Sequence, residues 1–195
     1  MSTKERRFTQ EVVQWRPWVE TVDQVGPTEE QAALVQKVAP NPDSRAYYAT
    51  LAHDVPALRE RTGLFNAIMY GHGGASRADR EFATVVPSRI NGCLYCASVH
   101  ARRYSQLTKD TTLVQRLLDQ GVEAKFAEHE QVIVDYAAKL TRDPAGLTPD
   151  DLAPLRRAGF SDAEILDIAY STAMFAWANR LMQTIGASVL PGEEG

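Results

Sequence analysis

The chain holds two cysteines, three residues apart, in the order Cys93-Leu94-Tyr95-Cys96, and His100 follows four residues after the second. On a helix beginning near Cys93, Cys96 lies one turn beyond Cys93 and His100 one turn beyond Cys96, so all three share a face. Helical side chains lean toward the N-terminus, which tips the His100 imidazole toward the Cys96 sulfur. That arrangement suits thiol chemistry, because the thiolate is the nucleophile and a nearby imidazole can accept its proton or stabilise its charge. The positive end of the helix favours an anion at Cys93 and, more weakly, at Cys96. A second thiol within one turn can capture a sulfenic acid as a disulfide before it over-oxidises. Glu81, twelve residues before Cys93, stands where a preceding helix could return it to orient His100 or relay protons.

Other readings of these residues compete. Two cysteines on an apolar helix can be small core residues, but the following His argues for chemistry. Cys93, Cys96 and His100 could supply three zinc ligands, yet the usual second ligand pair is missing, so no metal is expected. Glu81 belongs to the charged run Arg77, Asp79, Arg80 and Glu81, which by itself reads as a solvated helix face. His53, His72 and His129 have no partner pattern, and surface or capping roles are expected for each. Asn179-Arg180 reads equally as a site or subunit contact and as an ordinary polar helix face.

The elements that must position these residues read as helices separated by Pro, Gly and Ser punctuation, without sustained strand-like alternation, so the expected fold class is all-α. Thr28 caps a helix over Glu29 to Val38, Pro40-Asn41-Pro42 breaks it, and helical segments run from about Ser44 to Gly71. Ser76 with Asp79, Thr148 before Pro149-Asp150-Asp151, and Ser161 with Glu164 are further start signals. Pro87, Asn91 and Gly92 are expected to end the helix begun at Ser76. Gly121 and Gly159 mark left-handed stops, and another helix runs from about Phe126 to Leu140. The starts at Ser76 and Ser161 look like weak copies at an offset of 85, so the bundle can be read as two weakly related helical halves. In that alignment Glu81, Cys93, Cys96 and His100 fall on Leu166, Ala178, Leu181 and Ile185, which leaves the chemistry in the first half.

The 195 residues suffice for one domain with a proper core, so the fold does not need its cysteines for crosslinking. We divide it into an N-terminal helical segment (1–57) packing on the core or a neighbouring subunit, a catalytic core (58–142), and C-terminal helices (143–195) completing the same domain. Trp15 and Trp18 read as core or subunit contacts. Charged residues make up 24%, the formal net charge is −4, and no basic patch points to nucleic acid. No apolar leader or run of ~18 apolar residues occurs, so neither a membrane span nor a membrane partner is expected and a cytoplasmic location is.

From Ser76-Arg77-Ala78-Asp79-Arg80-Glu81-Phe82 through Asn91-Gly92-Cys93-Leu94-Tyr95-Cys96 to His100, the chain resembles the alkylhydroperoxidase AhpD-like branch of the carboxymuconolactone decarboxylase family, especially its peroxidase-related members. Similarity continues more diffusely through Gly159-Phe160-Ser161-Asp162 to Asn179-Arg180, covering roughly residues 58 to 188. The resemblance implies an AhpD-like helical bundle that forms homo-oligomers and reduces hydroperoxides without haem, flavin or metal. By position, Cys96 is similar to the peroxide-attacking thiol, Cys93 to the resolving thiol, and Glu81 with His100 to the proton relay. AhpD itself has a second His between its cysteines where this chain has Tyr95, which leaves the substrate range and the reductant open. The decarboxylase branch generally lacks the paired cysteines.

The expected function is therefore a thiol-dependent peroxidase cycling through a Cys93–Cys96 disulfide, acting on organic hydroperoxides or hydrogen peroxide. Its partner is an external thiol or dithiol reductant: lipoyl, thioredoxin-like or glutathione. The alternatives are a redox-sensing disulfide protein and an acid/base lyase or isomerase using His100 and Glu81.

Overall fold

The structure, a computed structural model, describes residues 7–39 and 41–192. These form ten helices and one two-stranded sheet. The centre is a packed pair, α5 (Arg77–Asn91) and α10 (Asp162–Ile185), flanked by α6 (Leu94–Thr108) and α8 (Glu128–Arg142). Both central helices open as expected. The Ser76 Oγ accepts the Asp79 amide at 3.0 Å, and Ser161 with Glu164 forms a full capping box. Beyond their starts they differ. α5 stops at Gly92, which takes the left-handed conformation (φ 77°, ψ 25°), and the Gly92 and Cys93 amides both close on the Ser88 carbonyl. α10 runs unbroken past Trp177, the residue 85 positions after Gly92.

Pro87 does not help to end α5; it lies inside the helix, which continues to Asn91. A proline removes one helical N–H. The flanking hydroxyls close locally, Thr84 Oγ1 donating to the Glu81 carbonyl and Ser88 Oγ to the Thr84 carbonyl, and packing against α6 and α10 keeps the segment helical through the gap. A core of Phe82, Val85, Val86, Ala97, Leu117 and Ile133 fills the space among α5, α6, α7 (Thr112–Gln120) and α8. Gly121 and Gly159 both have positive φ after α7 and α9 (Ala153–Arg157). Thr148 opens a 3-10 turn, Pro149–Leu152, instead of an α-helix.

A second core joins the N-terminal elements to Cys93, Cys96 and the last turns of α10. Here α1 (Val22–Val25) leads to α2 (Glu29–Val38), opened by the expected Thr28 box; α3 (Pro42–Leu51) and α4 (Val55–Tyr70) follow. The fold is all-α, as expected, and the two-stranded sheet is a small addition to it. β1 (Gln14–Pro17) pairs antiparallel with β2 (Gly186–Val189), Trp15 opposite Ser188. Strands of four residues are too short to print an alternation signal. The Trp15 ring lies against Gly186, where a Cβ would fall 2.2 Å from it, and Trp15 Nε1 donates to the Met182 carbonyl at 3.1 Å. Trp15 is thus core, whereas Trp18 is 64% exposed and lies outside it. Among the described residues no helix is long and apolar enough to cross a membrane.

The tie between the central helices is ionic. Asp167 Oδ2 of α10 accepts from Arg80 Nη2 of α5 at 2.7 Å and from the Ala75 amide at 3.0 Å. Arg80 also donates to the carbonyls of Gly71 and Gly73 in the preceding turn. Asp167→Ala leaves a buried guanidinium without its carboxylate and should lower stability by about 2–4 kcal/mol, measurable as a shift in the urea midpoint at unchanged slope.

Candidate active site

Glu81 projects from α5 with no exposed surface. Its Oε2 meets His100 Nδ1 at 2.5 Å, and its Oε1 accepts from Arg77 Nε at 2.8 Å and from a second nitrogen of the same guanidinium. Arg77 is itself held by the Met69 carbonyl at 2.7 Å and lies over the Tyr70 ring, 3.9 Å from its centroid. Burial pushes the Glu81 carboxyl up, but the charges and hydrogen bonds of His100 and Arg77 outweigh burial and hold it below the usual range. The solvated-face reading of residues 77–81 is therefore wrong for Glu81. α5 is enclosed between α6 and α10, and the side of the charged run bearing Glu81 is turned into the protein.

His100 reaches Glu81 from the second turn of α6, with its ring edge-on to Phe175, centroids 4.1 Å apart. With the carboxylate ionised and the ring neutral, Nδ1 carries the proton and Nε2 keeps a lone pair. Cys93 occupies the N-cap of α6 and Cys96 its first turn; both are free thiols, 1% and 3% exposed. The Cys96 thiol donates to Met182 Sδ at 3.4 Å.

The two sulfurs share an ionisation. When Cys93 is a thiolate, the single Cys96 proton can serve it in place of Met182; that hydrogen bond, opposed by burial and helped by the amides of Cys96 and Tyr95 and by Asn179, lowers Cys93 below the ordinary thiol range. The same partnership, together with burial and the neighbouring sulfur's charge, raises Cys96 well above it. One proton leaves the pair early and the second late. Asn179 is fully buried on α10, donates to Ser88 Oγ at 3.1 Å and accepts from Asn91 Nδ2 at 3.2 Å. It faces both thiols, whereas Arg180 is exposed and caps the Ala176 carbonyl.

A cavity of about 340 Å³ opens beside these groups. Cys96, His100 and Glu81 line it; Cys93 does not. Its other wall comes from Tyr47 and Tyr48 of α3, Arg61 and Phe65 of α4, and Phe175 and Met182 of α10. No motif in the sequence marks the α3 and α4 residues, whose place is set by long-range packing. Arg77 did carry a signal, its i,i+4 spacing to Glu81. His53 meets the Glu20 carbonyl and His129 meets Asp79 while stacking on Phe160, both away from the site. Among the described residues no three His, Cys, Asp or Glu side chains converge as metal ligands would.

Residues 56–139, which contain Glu81, Cys93, Cys96 and His100, match the model of the Carboxymuconolactone decarboxylase family. The fold of the chain is that of AhpD-like proteins. A peroxidase-related protein of Ralstonia eutropha JMP134, described as an alkylhydroperoxidase AhpD core, is 28% identical with a TM-score of 0.71, over 82% of this chain and 88% of that one. A peroxidase-related protein of Silicibacter sp. TM1040 is 27% identical with a TM-score of 0.69, over 100% and 98%. The debrominase Bmp8 shares the fold at 17% identity and a TM-score of 0.64, over 90% of each chain. No curated protein matches the chain significantly.

Two measurements probe the electrostatics. Ultraviolet thiolate absorbance against pH should show one thiol ionising below the ordinary range near ~8.5 and the other well above it; Cys93→Ser and Cys96→Ser should each abolish the split. Because the folded pKa of Glu81 is depressed, its pairing stabilises the protein above the ordinary carboxylate range and ceases to do so as pH falls through the folded value. Glu81→Gln should therefore lower the urea midpoint at neutral pH by much more than in acid, the two proteins converging once Glu81 is protonated.

Proposed function

We propose that the protein is a thiol-dependent peroxidase that reduces organic hydroperoxides or hydrogen peroxide through a Cys93–Cys96 dithiol/disulfide cycle. The supporting observation is the unequal placement of the thiols: Cys96 opens onto the cavity that His100 and Glu81 also line, and Cys93 lies behind it. Two relatives described as peroxidase-related accord with this reading.

The partnership with Cys93, together with burial, holds the Cys96 proton on, so Cys96 needs a base, and His100 Nε2 takes that proton directly or through one water. The thiolate attacks the distal oxygen of ROOH, an S–O bond forms as the O–O bond breaks, and the relay returns the proton to release ROH. Cys96 is then a sulfenic acid. Cys93, whose lowered pKa favours the thiolate, attacks the Cys96 sulfur; the S–S bond forms and hydroxide leaves as water with a relay proton. Glu81 keeps the imidazole in one tautomer and orientation throughout, and balances its charge when protonated. The two electrons come from the thiols, and an external thiol or dithiol restores them; no metal, haem or flavin takes part. The reading includes self-association, for which the exposed Trp18 is available.

Cys96→Ser should abolish peroxide loss with dihydrolipoamide, thioredoxin or glutathione systems, while Cys93→Ser should react once and stop as sulfenic acid or a mixed disulfide, identified by mass spectrometry after trapping. His100→Gln should slow the reaction at neutral pH by about 10²–10⁴-fold, the defect shrinking as pH rises and the thiolate forms unaided. Turnover retained in Cys96→Ser, with label at Cys93, would reverse the two roles. A disulfide that forms without turnover under any donor would leave the redox-sensor reading in its place.

A further inference from the structure

The cavity wall carries more positive charge than the chemistry beside it uses. Four arginines line it, Arg61, Arg77, Arg102 and Arg103, against the carboxylates of Asp43 and Glu81. This surplus sits in a chain whose formal net charge is −4. Arg77 is committed to Glu81 and to the Met69 carbonyl, and Arg103 donates to Gln106. Arg61 and Arg102 remain.

Three buried donor groups without a hydrogen-bond partner belong to residues of this one cavity: Arg61 Nε, Arg102 Nη1 and the Tyr47 hydroxyl. Such groups are costly to leave unmatched, so three of them on residues lining one hollow point to a ligand that accepts hydrogen bonds. Arg61 is also pre-positioned. Its guanidinium lies 4.7 Å from the Phe65 ring centroid, 5.5 Å from that of Tyr48 and 5.9 Å from that of Tyr47, and its Nη1 reaches the Tyr48 hydroxyl at 3.4 Å. A guanidinium stacked among rings keeps a fixed plane and presents its N–H edge as a fork for a carboxylate. The surrounding Phe65, Phe175, Val99 and Met182 give the rest of the cavity an apolar wall.

We infer that the cavity binds an organic carboxylate, its anionic end held by Arg61, Arg102 and the Tyr47 hydroxyl and its apolar body against Phe65 and Phe175, so that the substrate class is a carboxylate-bearing hydroperoxide. The substrate part of this inference rests on the peroxidase reading; the anion site does not. The cavity volume lies at the lower end of the roughly 300–1,000 Å³ found for small-molecule sites, which suits a small aromatic or short-chain acid.

The test uses unreactive probes on the reduced protein, so it needs no turnover. Benzoate should bind, by calorimetry and by slowing iodoacetamide alkylation of Cys96, and benzamide, its neutral isostere, should bind more weakly by about tenfold or more. Arg61→Gln should weaken benzoate by about tenfold to a hundredfold and benzamide little, while Arg61→Lys should restore part of the difference. Arg102→Gln, at a half-buried position on α6, supplies the same comparison should Arg61→Gln fail to fold, with thermal unfolding as the check on each. Equal binding of benzoate and benzamide, no binding of either, or benzoate affinity unchanged in the folded variants would overturn the anion site. Selective benzoate binding without peroxide turnover would keep the anion site and remove the peroxidase reading. Turnover that prefers neutral hydroperoxides over carboxylated ones would remove the substrate class proposed here.

Discussion

A carboxylate with no exposed surface must be matched by charge and hydrogen bonds, and in this protein that requirement falls on Glu81. Its two oxygens are satisfied from opposite sides, by Arg77 on its own helix and by His100 on the next. To deliver the imidazole, α6 must cross α5 at one rotation and one height. Cys96, one turn before His100, is thereby carried to the wall formed by Met182 and Ala178 of α10. Arg77 in turn is pinned by Met69 and Tyr70, which fixes where α4 ends. The ion pair network therefore sets the geometry of three helices as well as the tautomer of one imidazole.

The two thiols occupy different electrostatic positions although they are three residues apart. Cys93 caps a helix and takes its stabilisation from amides and from its neighbour; Cys96 lies inside the first turn, against sulfur and apolar carbon. The break at Gly92 creates this difference, because a continuous helix would bury the amides that face Cys93 in its own hydrogen-bond ladder. Asn179 completes the environment from α10, bridging Asn91 and Ser88 at the end of α5 to the sulfurs. Polar groups enclosed this way support one arrangement of neighbours and penalise others.

Much of this was legible in the residue string because the responsible interactions are local. Ser76, Thr28 and Ser161 cap helices through bonds to amides three residues away, and Gly92, Gly121 and Gly159 end them through their own backbone conformation. The Cys93, Cys96, His100 face follows from helical periodicity. What was not legible depends on partners far away in sequence. Nothing local says that Glu81 is enclosed, that Pro87 is tolerated under tertiary packing, or that Tyr47 and Arg61 complete a cavity around Cys96. The short strands were missed for the same reason, since each is defined by its pairing with the other and not by its own four residues.

That pairing also orders events in time. Trp15 and Met182, 167 positions apart, are joined by a hydrogen bond next to the contact of Trp15 with Gly186, and closing so long a loop is entropically the most demanding step available to the chain. The α3 wall of the cavity packs on β1 as well as on α2 and α4, so its seating is completed when that closure is made. The α5–α6 pairing is local and can form early. The cavity beside Cys96 is therefore complete only when the first and last strands have found each other.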